Sequence, residues 1–379
     1  MRNPPLSLYV HIPWCVQKCP YCDFNSHGLK SALPEKEYVA HLLDDLATDA
    51  KRIGDRPIET IFIGGGTPSL FSAEAISDLI KGIRERVTLA DNAEITMEAN
   101  PGTVESGRFA GFYLAGVNRI SVGIQSFQPA HLKVLGRIHN DTQAIEAINQ
   151  AHSAGLPTFN LDLMHGLPDQ SVENAMSDVD KALALSPYHL SWYQLTIEPN
   201  TPFYSRPPEL PDDDILWDIQ EQGHARLKAA GYEQYEISAY AKAGHQCQHN
   251  LNYWRFGDYL GIGCGAHGKI TDIATGTITR TVKIKHPRGY MEISRPYLDT
   301  ETLVPAEDLP FEFFMNRFRL VEPCPIEDYT ALTGVELTKV YQDALDDAQA
   351  QGLLEITNTH WQVTAKGRRY LNSLLSCFV

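Results

Sequence analysis

Between residues 6 and 230, short runs of β-branched and aromatic residues alternate with stretches of helical period, and no other feature restricts the fold of this chain more tightly. "LSLYVHI" is followed, beyond a cysteine-rich loop, by "EKEYVAHLLDDLATDAKRI", "ETIFIGGG" by "SAEAISDLIKGIRERV", and "EITMEANP" by "VESGRFAGFYLAG". "RISVGIQS" precedes "DTQAIEAINQAHSAG", and "TFNLDLMHGLP" precedes "SVENAMSDVDKALALS". A sixth run, "HLSWYQLTI", is separated from its helix "DDDILWDIQEQGHARLKAAG" by the proline-rich "EPNTPFYSRPPELP". Repeated βα units require a parallel sheet with its helices outside. A doubly wound open sheet also satisfies the alternation, but glycine and polar residues recur just after the strands, as "GGGTP", "EANP", "QSF" and "HGLP". Function at the carboxyl ends of several strands is the habit of a barrel. Six units instead of eight predict an α/β fold built on a partial, TIM-like (β/α)6 barrel, open at one side and able to admit a large substrate.

The six units account for residues 1–235. Residues 236–299 continue a segment rich in glycine and aromatics, "YEQYEISAYAK" through "HNLNYWRFGDYLGIGCGAHG", whose strand-like alternation predicts a sheet extension and connector. Residues 300–379 turn helical and end in "YQDALDDAQAQGLLEITNTHWQVTAKGRRYLNSLL", where helix, hairpin and helix predict a smaller, winged-helix-like domain.

Composition narrows the function. The 379 residues carry a formal net charge of -15, which argues against a protein whose main work is holding phosphate backbone. Lys366, Arg368 and Arg369 in the winged-helix-like tail are too few to outweigh that balance, so a nucleic-acid module is the least favoured class. No apolar leader precedes the first strand and no run of 18 apolar residues occurs, so the expectation is a soluble, cytoplasmic protein with no transmembrane segment. Seven cysteines, an odd number with three crowded together, do not resemble a disulfide framework. Metal or redox chemistry is the open question.

Cys15, Cys19 and Cys22 follow a C-x3-C-x2-C pattern in "HIPWCVQKCPYC", at the end of the first strand. Three thiolates in one short loop can wrap three corners of a cubane cluster, whereas a structural zinc site normally closes with four protein ligands. An iron without a protein thiolate keeps an open position, where a small molecule with adjacent amino and carboxylate groups can chelate. Zinc completed by Cys247, His245 or His249 is one alternative, and unliganded buried thiols are another. Gly64, Gly65 and Gly66 after the second strand either let backbone approach a ligand or simply make a turn. Glu98 in "MEANP" either accepts hydrogen bonds from a ligand or is a solvated loop carboxylate.

Through "CVQKCPYC", with Tyr21 before the last cysteine, and "GGGTP", the chain resembles the radical S-adenosylmethionine superfamily over about residues 6–200. The resemblance implies a [4Fe-4S] cluster on Cys15, Cys19 and Cys22, with S-adenosyl-L-methionine chelating the unique iron and cleaved reductively to methionine and a 5'-deoxyadenosyl radical. "YVHIPWC", "IFIGGGTPS", "EANP", "RISVGIQSF", "LGRIH", "NLDLMHGLP" and "YQLTIEPNTPFY" are similar to the oxygen-independent coproporphyrinogen oxidase family and its relatives. Carried over by matching motif, Tyr9, Gly65, Gly66, Thr67, Glu98, Gln125, Arg137 and Asp162 are implied to line one or two S-adenosylmethionine sites. Arg137 suits an anion and Asp162 a hydroxyl donor, although either could form an internal ion pair instead.

The departures from the oxidase branch point elsewhere. That branch carries a further cysteine after the third ligand and an amino-terminal extension over its substrate, whereas here "CPYCDFN" places Asp23 and Phe24 and the chain starts almost at the first strand. The whole chain is similar instead to the heme-chaperone branch, marked by H-N-x-x-Y-W, which is "HNLNYW" at residues 249–254. This resemblance implies a carrier that binds heme and passes it to acceptor hemoproteins, a membrane respiratory enzyme subunit among them, with His249 as iron ligand. Tyr253 and Trp254 offer apolar faces to a macrocycle. Without the family, a histidine beside aromatics reads as a packed core residue, and His245, His267 and Cys264 compete as ligands. The rival function is a radical enzyme that abstracts hydrogen from a porphyrinogen propionate and releases carbon dioxide.

Overall fold

The computed structural model describes residues 1–103, 107–292 and 294–378. Strands β1 (Leu6–Ile12), β2 (Ile58–Gly65), β3 (Leu89–Ala99), β4 (Arg119–Gln125), β5 (Thr158–His165) and β6 (His189–Gln194) pair in parallel in the order in which they occur. A doubly wound sheet reverses its strand order midway; this one does not, so it winds in one direction as a barrel does. β1 and β6 each pair with another strand at their outer edge, which leaves the barrel open as six units predict.

The alternation along each strand explains why these residues sit here. In β1, Leu6, Leu8, Val10 and Ile12 are buried in the main core, while Tyr9 and His11 point the other way. The outer layer is α1 (Glu35–Asp49), α2 (Ala73–Arg84), α3 (Arg108–Ala115), α4 (Asp141–Ser153) and α5 (Val172–Ala184), with the displaced α6 (Asp213–Ala229) packed on α5. Ser72, Asn140 and Ser171 cap α2, α4 and α5 through side-chain acceptors, satisfying otherwise orphaned first-turn N–H groups. The first three residues of the "VESGRFAGFYLAG" segment lie outside the described residues.

The sheet extension expected over residues 236–299 is divided between the two edges. β7 (Glu233–Glu236) and β8 (Ala239–Ala241) run antiparallel beyond β6. The chain then crosses by α7 (Gln248–Trp254) to β9 (Asp258–Ile262), parallel to β1, and continues through β10 (His267–Asp272), β11 (Thr277–Lys283) and β12 (Leu298–Leu303). Lys283 on β11 meets Asp45 and Asp49 of α1 at 2.5 and 2.7 Å, a buried cluster that ties this edge to the barrel.

Beyond β12, α8 (Leu309–Arg317), β13 (Cys324–Pro325), α9 (Ile326–Thr333), α10 (Lys339–Ala350), β14 (Leu354–Ile356) and β15 (His360–Val363) form the winged-helix-like unit around a core of their own, which includes Phe313, Phe314, Tyr329 and Trp361. Lys366 and Arg368 donate to the carbonyls of Gln351 and Val363, and the Arg369 guanidinium lies 3.4 Å from the Trp217 ring centre. Three cations spent within the fold are a poor phosphate-binding face. Among the described residues no helix is long and apolar enough to cross a membrane.

Candidate functional site

The loop after β1 carries the three cysteines and is held from two sides. Trp14–Cys15 pairs with His27–Gly28, and the end of β2 clamps it through Gly66 N–H to Ile12 O at 2.6 Å and Thr67 N–H to Trp14 O at 2.8 Å. A Cβ on Gly66 would lie 2.6 Å from Trp14 O, so a side chain there would push the cysteine loop off the strand. Gly65 has φ +112, and a Cβ on it would lie 2.4 Å from the His11 ring. The two glycines therefore serve the approach of chain to chain, as well as lining a cavity.

That cavity, of about 420 Å³, lies at the carboxyl ends of the strands, and Cys15, Cys19 and Cys22 open onto it. Burial raises the Cys15 and Cys22 thiols above their ordinary pKa. Arg137 supplies a countercharge: Nη1 is 3.6 Å from Cys19 Sγ, Nη2 donates to Gly123 O at 2.6 Å, and Nε is buried without a partner among the described residues. An orphaned guanidinium donor beside three thiols fits an anionic group in the cavity. The fold does not bring the proposed zinc partners to the loop, since Cys247 and the His249 backbone lie against Glu94, and His245 stacks on Tyr188 at 4.5 Å.

The rest of the wall follows the period of two of its strands. Ser121, Gly123 and Gln125 of β4, Asp162 and Met164 of β5, and Ser191 and Tyr193 of β6 all line the cavity. Asp162 accepts from Ser121 Oγ at 3.0 Å and Asn160 Nδ2 at 2.7 Å. Gln125 adopts φ +70 where the register with β5 slips, and its Oε1 accepts from Tyr193 Oη at 2.8 Å. Glu98 accepts from Gly65 N–H at 3.0 Å, and burial, aided by the Asp162 charge, pushes its carboxyl up to about 7. Tyr21, Gly65, Gly66, Thr67, Glu98, Gln125, Arg137 and Asp162 are thus gathered around one space. Ser191 and Tyr193 complete it without having been singled out from the sequence; their alternation with the buried Leu190 and Trp192 was the available signal.

A second cavity, of about 930 Å³, adjoins the first, and Asp23, Phe24, Ser26, Gly65 and Glu98 line both. Its walls are the β1 and β9–β11 edge of the sheet and α8 of the carboxyl-terminal unit, which contributes Met315 and Asn316. Tyr9 belongs here and not to the first cavity; its hydroxyl is 3.0 Å from His11 Nδ1.

His249 lines neither cavity. It is 1% exposed, with Nδ1 bonded to Thr60 Oγ1 at 2.8 Å, Nε2 to Tyr253 Oη at 3.0 Å, and the ring against Phe62 at 5.1 Å. Burial lowers its pKa to about 3. Iron ligation by His249 would require one of these bonds to break, so the arrangement speaks against the ligand role expected from "HNLNYW". The motif instead pins α7: Asn252 Nδ2 donates to Ser7 Oγ at 2.7 Å and Asp258 O at 2.9 Å, and His249 holds the Tyr253 hydroxyl while that ring and Trp254 line the second cavity.

Comparison with known proteins agrees with this architecture. Residues 9–179 match the Radical SAM superfamily and residues 304–370 the HemN C-terminal domain. The solved coproporphyrinogen III oxidase (HemN) from Escherichia coli superposes over 99% of this chain and 90% of its own with a TM-score of 0.84 at 23% identity, a likeness of fold. The heme chaperone HemW of Escherichia coli is 61% identical over 100% of this chain and 99% of its own length. That of Haemophilus influenzae is 59% identical over 100% and 99%, and that of Bacillus subtilis 32% over 98% and 99%. With identity sustained at this level from end to end, the chain belongs to the HemW family.

Proposed function

We propose that the protein is a heme chaperone of the cytoplasm, binding heme and handing it to acceptor hemoproteins, those of the respiratory membrane included. Cys15, Cys19 and Cys22 hold a [4Fe-4S] cluster, and S-adenosyl-L-methionine occupies the first cavity against it. When bound, that pair supplies one-electron chemistry. The protein's own part is to orient: Arg137 places its unpaired N–H on an anionic group beside Cys19, Asp162 and Gln125 accept from hydroxyls, and Glu98 accepts from a hydroxyl or amino group. Tyr21 closes the cavity beside the cysteines, and Thr67 fixes the loop.

The observation that carries this reading is the shared wall. A cysteine-lined cavity opens along Asp23, Phe24 and Ser26 into a second one of about 930 Å³, at the upper end of the ~300–1,000 Å³ usual for ligand sites. A flat macrocycle can lie there beside the cluster without displacing the ligand of the first. The test is one anaerobically reconstituted preparation assayed for heme binding and for coproporphyrinogen conversion. Heme bound at one per chain without conversion is the expected result; turnover without heme binding would replace the carrier by the oxidase.

A further inference from the structure

In and beside the second cavity lie several groups suited to a metalloporphyrin, and their hydrogen bonds distinguish them. His11 is engaged at both ring nitrogens, by Tyr9 Oη at 3.0 Å and Asn25 O at 2.8 Å. His27 is bonded at Nε2 to Asn25 Oδ1 at 3.3 Å. Cys264 is buried, donates to Lys285 O at 2.8 Å, and is pushed up to about 12 by burial, so it is a thiol and not a ligating thiolate. His267 is different. It begins β10, its side chain is exposed to the cavity, and among the described residues neither ring nitrogen has a hydrogen-bond partner.

The charges around it divide in the same way. Arg280 is held by Glu312 and Tyr259, and Lys269 by Asp258 at 3.2 Å. Lys18, whose Nζ donates to Phe24 O at 3.1 Å, and Lys285 line the cavity with no carboxylate partner among the described residues. The acidic residues on the wall, Asp23 and Glu98, lie at the seam with the first cavity. Phe24, a large apolar side chain left 56% exposed, stands at that seam too, and Tyr253 and Tyr259 pack edge to face on the wall with ring centres 4.6 Å apart. The site therefore combines an unengaged imidazole, aromatic faces and two ammonium groups that no carboxylate neutralises among the described residues, which are the three requirements of iron, macrocycle and propionates.

We infer that heme sits in the second cavity with His267 as its protein ligand to iron and with Lys18 and Lys285 on its propionates. This rests on the reading of the protein as a heme carrier and names the site where the cargo is held. No bond of His267 is lost when its ring turns to iron, whereas His249 would have to leave both Thr60 and Tyr253.

The test is a hemin titration of the full chain followed by Soret absorbance. Partners one step removed from a metal are already worth about 10–100-fold in affinity, so His267→Ala should weaken hemin binding by at least about tenfold and move the Soret maximum. Imidazole added to that variant should restore the band. Lys18→Glu with Lys285→Glu should weaken binding while leaving the maximum in place, and His249→Gln should also leave it in place. Should His267→Ala be poorly folded by circular dichroism, His267→Gln replaces it. Unaltered spectrum and affinity in the His267 variants, or a band that moves only in His249→Gln, overturns the assignment while the carrier reading stands. Absence of hemin binding by the unmodified protein overturns both.

Discussion

Arg137 reaches across the first cavity to bring Nη1 within 3.6 Å of Cys19 Sγ, while its Nη2 is fixed by the Gly123 carbonyl at 2.6 Å. A guanidinium so anchored is a donor aimed at whatever anion lies over the cysteines, and its unpaired Nε is the reserve. A charge-assisted hydrogen bond is worth about 1.5–3 kcal/mol, so Arg137→Met should weaken S-adenosylmethionine binding by roughly ten- to a hundredfold. Anaerobic calorimetry on protein of unchanged iron content checks this. Full affinity would reduce Arg137 to a structural brace.

Cys15→Ser, Cys19→Ser and Cys22→Ser together should abolish the cluster's visible absorbance and its paramagnetic signal after reduction. Cys324, buried against Arg317 in the carboxyl-terminal unit, and Cys377 near the end of the chain should both be replaceable by serine without loss of iron. Full iron and sulfide in the triple variant would exclude the cluster from this loop.

Gly66→Ala keeps every cysteine yet sets a Cβ 2.6 Å from Trp14 O, so the loop must move. Overpacking of this kind costs about 1–3 kcal/mol. The variant should assemble markedly less cluster under conditions that saturate the unmodified chain, read as iron per chain. Normal iron content would mean that the clamp on the loop is slack.

Glu98 supplies a pH test. Its carboxyl is raised from 4.5 to about 7, so the folded protein binds a proton that the unfolded chain releases, and this group's contribution to stability falls as pH rises from about 4.5 through 7. Glu98→Gln removes that loss. The variant should gain stability relative to the unmodified chain between pH 5 and pH 8, by on the order of 1–2 kcal/mol, the full shift being discounted for solvent screening because Glu98 lines two open cavities. Denaturant unfolding at the two pH values measures it, and a constant difference would show that Glu98 is ionised throughout.

Local chemistry made the barrel legible. Six strands bounded by glycine and polar residues, and helices introduced by Ser72, Asn140 and Ser171, carry their signals in adjacent residues. The cysteine spacing is local in the same sense. What could not be read was pairing between distant segments: that β9 returns to β1 across most of the preceding chain, or that α7 packs against β1, β2 and β9. For that reason "HNLNYW" suggested a ligand when His249 is buried between Thr60 and Tyr253, and His267, one of three competitors in sequence, is set apart by having no hydrogen-bond partner among the described residues, which only the tertiary fold decides.

Heme-loaded protein mixed with an apo-hemoprotein, followed by the two Soret bands after rapid separation, distinguishes a carrier from an oxidase. The carrier reading predicts that heme leaves this chain and appears in the acceptor at matching stoichiometry, with no coproporphyrinogen converted by the same preparation. Heme retained against every acceptor, together with steady conversion of coproporphyrinogen, would contradict it.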